Sequence, residues 1–111
     1  MNKTFSFGLE WDTLSIQKAI GDHLEDLKWK IETSLEFADS GESALIITAY
    51  KKKNAIIIQL ENENKKIVIQ AGIQGKYLPT GKQIPKYSKV FSSEKIQDAS
   101  KFFEKIMEDL K

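Results

Sequence analysis

His23 is the only histidine of the chain, and so the only side chain whose ordinary titration falls near neutral pH. Asp22, Glu25 and Asp26 stand beside it in sequence, the company that a general base or a metal ligand requires. The constellation goes no further. Asp26 at i+3 can reach His23 along a helix, but there is no second histidine, no cysteine and no HExxH spacing. Neither a catalytic residue nor a metal site is therefore expected, and His23, lying in the apolar stripe of a helical segment, reads as a partly buried structural residue.

Gly75-Lys76-Tyr77-Leu78-Pro79-Thr80-Gly81-Lys82-Gln83 has the look of a phosphate loop. It departs from GxxxxGK[ST] twice: its glycines are one residue too far apart, and Gln83 stands where the magnesium-binding hydroxyl belongs. What survives is a cationic stretch with aromatic side chains, carrying Lys76, Lys82, Lys86 and Lys89 and no acid between residues 74 and 89. Lysine neutralisation with aromatic stacking is the generic mode of single-strand nucleic-acid binding, so this stretch and Lys51-Lys52-Lys53 form one candidate contact surface. The same lysines also suit a solvated loop and a soluble hairpin turn.

Every basic residue is lysine, seventeen in all. The bidentate guanidinium that reads guanine edges is absent, which weighs against sequence-specific DNA recognition. Net charge is only +1, yet residues 1 to 50 hold four lysines against nine acids, while residues 51 to 111 hold thirteen against seven. Such an asymmetry permits head-to-tail association that salt would screen. A chain of 111 residues, 41% hydrophobic and 30% charged, fits one soluble globular domain with one core. Without cysteine there is neither disulfide nor thiolate chemistry, and no segment approaches the ~20 apolar residues of a membrane span. No leader of signal-peptide pattern follows Met1, so a cytoplasmic protein is expected.

The elements that must position these residues follow from hydrophobic rhythm. Phe5, Phe7, Leu9 and Trp11 alternate with small or polar residues and predict a one-sided strand. Asp12 then caps a helix running to about Leu27, with Trp11 and Ile16 spaced as a hydrophobic staple. Ile16, Ile20, His23 and Leu27 form its stripe, and Gly21 suggests a close neighbour. Trp29 to Phe37 is a second strand with one apolar face, and Asp39 to Glu42 a turn using Gly41. Ala44 to Tyr50 and Ala55 to Leu60 are apolar on both faces, as central strands are, and asparagines in the following connections suit left-handed backbone. Ile67 to Ile73 makes a fifth strand. Residues 74 to 89 read as a long loop, and Lys86 to Phe91 as a short edge strand. Ser92 caps the last helix, with Phe91 and Ile96 as staple, a stripe of Ile96, Ala99, Phe103, Ile106 and Leu110, and ion pairs Asp98/Lys101, Lys101/Glu104 and Lys105/Asp109 outside.

Two amphipathic helices need one sheet face between them, which defines an α+β two-layer sandwich. The expected architecture is an antiparallel sheet of five or six strands in the order strand, helix, four (or five) strands, helix, with both helices on one face. That element order resembles the TATA-binding-protein-like arrangement and, more loosely, helix-grip folds, through order alone and without a shared residue motif. The opposite face then has no cover of its own. Either Leu45/Ile47/Ala49 or Ile46/Thr48/Tyr50 must point away from the helices, and such a patch is larger than monomers usually leave bare. The 74 to 91 loop, a second copy of the chain or another partner would cover it.

The function expected from this is non-enzymatic: a protein-interaction or regulatory domain without a cofactor, binding itself or another protein through the apolar sheet face and the loop 74 to 91. Its candidate binding residues are Lys76, Tyr77, Lys82, Lys86, Tyr87, Tyr50 and Ile47. The alternative is nucleic-acid binding through the lysine-rich loop and Lys51-Lys53, and a third is a small molecule held between sheet and helices.

Overall fold

The computed structural model describes residues 6–8, 10–77 and 83–110, with side chains for residues 6–8, 10–72 and 87–110. The element order is α1 (Thr13–Asp26), β1 (Lys30–Phe37), β2 (Ser43–Lys51), β3 (Asn54–Glu61), β4 (Lys66–Tyr77), β5 (Gln83–Ser92), a 3₁₀ turn (Ser93–Lys95) and α2 (Ile96–Asp109). The strands form one antiparallel sheet in sequential order, β1-β2-β3-β4-β5.

Register carries the alternation of each strand across the whole sheet. Thr33, Ile47, Ile58, Ile69 and Lys89 make one row, and Leu35, Leu45, Leu60, Ile67 and Phe91 the next. These rows face the helices. Ile47, Ile58, Leu60, Ile67 and Ile69 are fully buried beneath Ile16, Ile20 and Leu24 of α1 and Ala99, Phe103 and Ile106 of α2. α1 packs on β1 and β2, α2 on β4 and β5, so the two helices share one face of the sheet. Burying each of these large side chains contributes about 1.5–3 kcal/mol. His23 of α1 meets Phe103 of α2, their rings 5.8 Å apart, and the Phe7 ring from the leading segment lies 5.7 Å from that of Phe103.

The leading strand does not form. Ser6 to Gly8 and Glu10 to Asp12 lie in coil and bends, while Phe5 and Leu9 fall outside the described residues. Phe7 is buried all the same, because its backbone N–H donates to the Ser100 hydroxyl at 2.9 Å, and Ser100 in turn donates to the Ile96 carbonyl at 3.1 Å. Of the alternating apolar residues, Phe7 and Trp11 lie against the core.

Asp12 occupies the N-cap of α1 in extended conformation, and the Ile16 N–H donates to its carbonyl at 2.9 Å. Its carboxylate accepts the Ser15 hydroxyl at 2.6 Å instead of a backbone N–H. The helix ends in a Schellman arrangement, Lys28 N–H to Glu25 O and Trp29 N–H to Leu24 O, both at 2.9 Å. Lys28 adopts φ 69° there, and Lys52 and Lys65 adopt φ 55° and 51° in the turns after β2 and β3. The left-handed positions of these turns therefore fall on lysines and not on the neighbouring asparagines. At Gly41, φ is 93°, as its turn requires.

The long loop is a hairpin. β4 runs to Tyr77 and β5 begins at Gln83, so residues 74–77 and 83–91 are strand, and only the connection between them falls outside the described residues. Register shifts after Ala71 and again after Gly72, and Pro85 stands on the edge strand, where its missing N–H costs no ladder bond. α2 begins after a 3₁₀ turn at Ser92, later than a direct Ser92 cap would place it, and Ser92 makes no side-chain cap bond.

Candidate functional site

The face turned away from the helices is built from the alternate residues of the same strands. Ser34, Ile46, Gln59, Val68 and Val90 form one of its rows and Glu32, Thr48, Ile57, Gln70 and Ser88 the next, with Tyr50 beside Ala55 in a third. Ile46, Ile57, Val68 and Tyr50 are half-buried by their neighbours in the sheet, and Val90 is 56% exposed. Charge gathers at the margin, in Lys30, Glu32 and Glu36 of β1 and in Glu61 and Lys66 where β3 and β4 turn. Among the described residues no element lies over this surface. Its centre mixes Ile46, Ile57 and Val68 with Thr48, Gln59 and Gln70, and its rim is charged.

The candidate residues divide. Ile47 is 1% exposed and faces the helices, so it belongs to the core; the outward set is Ile46, Thr48 and Tyr50. The outward set is the more polar of the two through Thr48 and Tyr50, although Ile46 and Ile47 themselves give no preference. Tyr50 is on the open face as expected. Tyr87 is on the helix side, where its hydroxyl donates to Asp109 Oδ2 at 2.6 Å and its ring stands edge-on to Phe102 at 6.3 Å. Asp109 accepting that bond holds the Tyr87 pKa above the usual phenol value. Tyr87 thus links β5 to α2 on the helix side, away from the open face. Lys76, Tyr77 and Lys86 lie on the β4–β5 hairpin with side chains outside the described residues, and Lys82 is outside them altogether.

Lys51 has a local use that the KKK run concealed: its Nζ donates to the Leu27 carbonyl at 2.7 Å, at the C-terminal end of α1 where a cation is favoured. Lys52 and Lys53 are left in the turn, which antiparallel order places at the same end of the sheet as the β4–β5 connection. At the opposite end Ser43 ties two turns together. Its N–H and hydroxyl donate to the Glu63 carboxylate at 2.8 and 3.3 Å, and Asn62 Nδ2 donates to its Oγ at 2.7 Å. The Ser43 N–H holds the Glu63 carboxyl below the ordinary range.

A second surface went unnoticed in the sequence. Lys89, Lys95, Lys101 and Lys105 border an open groove of about 630 Å³ between β5 and α2, with Phe91 and Phe102 in its wall and Asp98 as its acid. Lys89 Nζ lies 5.3 Å from the Phe91 centroid and 5.8 Å from that of Phe102. The expected ion pairs of α2 do not form: Asp109 is taken by Tyr87, and Lys18–Asp22, at 3.0 Å, is the ion pair found among the described residues. The spacing of Lys101 and Lys105 was visible, but their convergence with Lys89 depends on β5 lying beside α2.

His23 sits partly buried with its ring edge on Phe103, and no group of three metal-ligating side chains occurs among the described residues. No helix is long and apolar enough to cross a membrane. Fold and surfaces together define a two-layer α+β domain, a sequential five-stranded antiparallel sheet with one helical face and one open face. Compared with protein-family models, with curated proteins and with solved structures, the chain finds no match.

Proposed function

We propose that this domain is a non-enzymatic protein-interaction or regulatory module that binds a second polypeptide, its own or another, on the open sheet face. The observation that carries the reading is the outward apolar set Ile46, Ile57, Val68 and Val90, which the protein's own helices leave uncovered. These side chains alternate with Thr48, Gln59 and Gln70, and apolar groups left open on a sheet face support an interaction site. The contribution first assigned to a 74 to 91 loop passes to the β4–β5 hairpin, whose edge strand supplies Val90. The TATA-binding-protein-like or helix-grip-like order belongs to this proposal as a likeness of element order alone, with a leading strand that the described residues do not form, and brings no activity with it.

The test is the double substitution Ile46→Lys with Val90→Lys, at positions where added charge meets water. Binding of a hydrophobic dye, and any association seen by light scattering through this face, should fall while the far-ultraviolet circular dichroism stays unchanged. A wild-type chain that binds no dye and scatters as a strict monomer overturns the reading.

One observation favours a second reading. The lysines of the β5/α2 groove lack ion-pair partners among the described residues, and Lys52 and Lys53 lie at the end of the sheet where the β4–β5 hairpin closes. Polyanion binding there predicts retention on single-stranded nucleic acid that falls steeply with salt, with a logarithmic slope near −0.7 for each phosphate neutralised. Lys101→Glu with Lys105→Glu should flatten that slope. A salt-independent response removes the reading.

A further inference from the structure

The two ends of the sheet are built differently. β5 carries Pro85, Lys86 and Lys89 and an irregular register with β4, devices that blunt an edge against further pairing. β1 shares only the lysine, Lys30 at its first position. Its eight residues pair with β2 without a bulge, contain no proline, and among the described residues meet no strand on their outer side. Three of the four large apolar side chains exposed among the described residues lie on this side of the molecule: Leu35 at 54%, Phe37 at 70% and, on α1, Leu14 at 73%. Between α1 and β1 runs a groove lined by Leu14, Gly21, Ile31 and Thr33, and a Cβ built on Gly21 meets nothing within 4 Å. Among the described residues, none supplies the close neighbour that this glycine suggests.

We infer that β1 is the self-association edge, and that a second copy of this chain pairs with it antiparallel about a two-fold axis at Thr33. Charge selects the register. With Thr33 on the axis, Lys30 of each strand stands opposite Glu36 of the other, Ile31 opposite Leu35, and Glu32 opposite Ser34. Moving the axis one residue, to Ser34, sets Glu32 against Glu36 twice and leaves Lys30 unpaired within the strand; moving it to Thr33's other neighbour, Glu32, stacks that residue on its own copy. The Thr33 register also keeps the helices of both copies on one side, brings the two α1/β1 grooves together, and joins the open faces into a single ten-stranded sheet. β5, blunted, ends that sheet at both sides, so pairing closes at two copies.

The inference rests on the self-associating form of the proposed function, and its test separates the two. Sedimentation of the wild-type chain up to roughly 1 mM, where even a millimolar contact is populated, should show a dimer. Lys30→Glu and Glu36→Lys, both at exposed positions, should each weaken it about tenfold or more, and the double reversal should recover it to within about threefold. In this cysteine-free chain, Thr33→Cys should cross-link on mild oxidation and Glu32→Cys should not. A monomer throughout that range overturns the edge pairing, while dye binding to its open face would leave the proposed function standing. A dimer that ignores the charge reversals but dissociates with Val90→Lys also overturns it, and moves self-association to the open face.

Discussion

Ser100 is the buried polar side chain among the described residues, and both of its hydrogen bonds are internal. Ser100→Ala removes the acceptor of the Phe7 N–H in a place water does not reach, which costs about 1–3 kcal/mol. Urea denaturation should show the midpoint falling at unchanged m-value; a loss below about 0.5 kcal/mol, the range of an ordinary surface change, would mean that the bond contributes little. This residue was not legible in the sequence because its partner stands 93 positions away. The side on which Tyr87 lies was hidden for a related reason, since an amphipathic ring on an edge strand gives no sign of which side carries its hydrogen bond. Lys28, Lys52 and Lys65 hold left-handed backbone that asparagine or glycine tolerates better, so residue preference pointed to the wrong members of these turns.

At the scale of elements, α1 was legible nearly to the residue, because stripe, Asp12 and staple all agree. β1 was equally legible from its alternation, and β2 and β3 from doubly apolar runs, bounded by turns at Gly41 and Lys52. The β4–β5 hairpin was legible in part: Ile67 to Ile73 and the edge strand Lys86 to Phe91 lie within β4 and β5, while residues 74–77 and 83–85 did not read as strand. Gly75, Pro79, Gly81 and Pro85 punctuate it, and beyond Gly72 its register is irregular, so the period-two signal has nothing to repeat against. The first segment failed in the opposite sense. Its alternation was clear, but a strand needs ladder partners, and the amide of Phe7 is given to Ser100. Gly21 provides the test at this scale. With ordinary helical backbone and open space around it, Gly21→Ala should raise stability by about 0.5–1 kcal/mol in dilute protein. A destabilised variant would reveal a contact the groove does not show.

For the whole molecule, the doubly apolar strands were the feature that survived translation into structure. They did become β2 and β3, inside the sheet, with one face under the helices and the other open. What sequence could not supply was the assignment of faces, since Ile46 and Ile47 are chemically alike and only the helix packing distinguishes them. The basic groove was hidden for the same reason, its lysines being divided between β5 and α2.

The strictly sequential strand order also governs how the chain finds its structure. Each strand pairs with the one just made, so the sheet can zip hairpin by hairpin through short closures. The bond from Phe7 to Ser100 joins opposite ends of the chain and has the largest closure to complete. It belongs among the last contacts to form, after the rate-limiting barrier. In stopped-flow measurements Ser100→Ala should therefore speed unfolding by nearly its whole equilibrium effect and leave refolding within about twofold of the wild type.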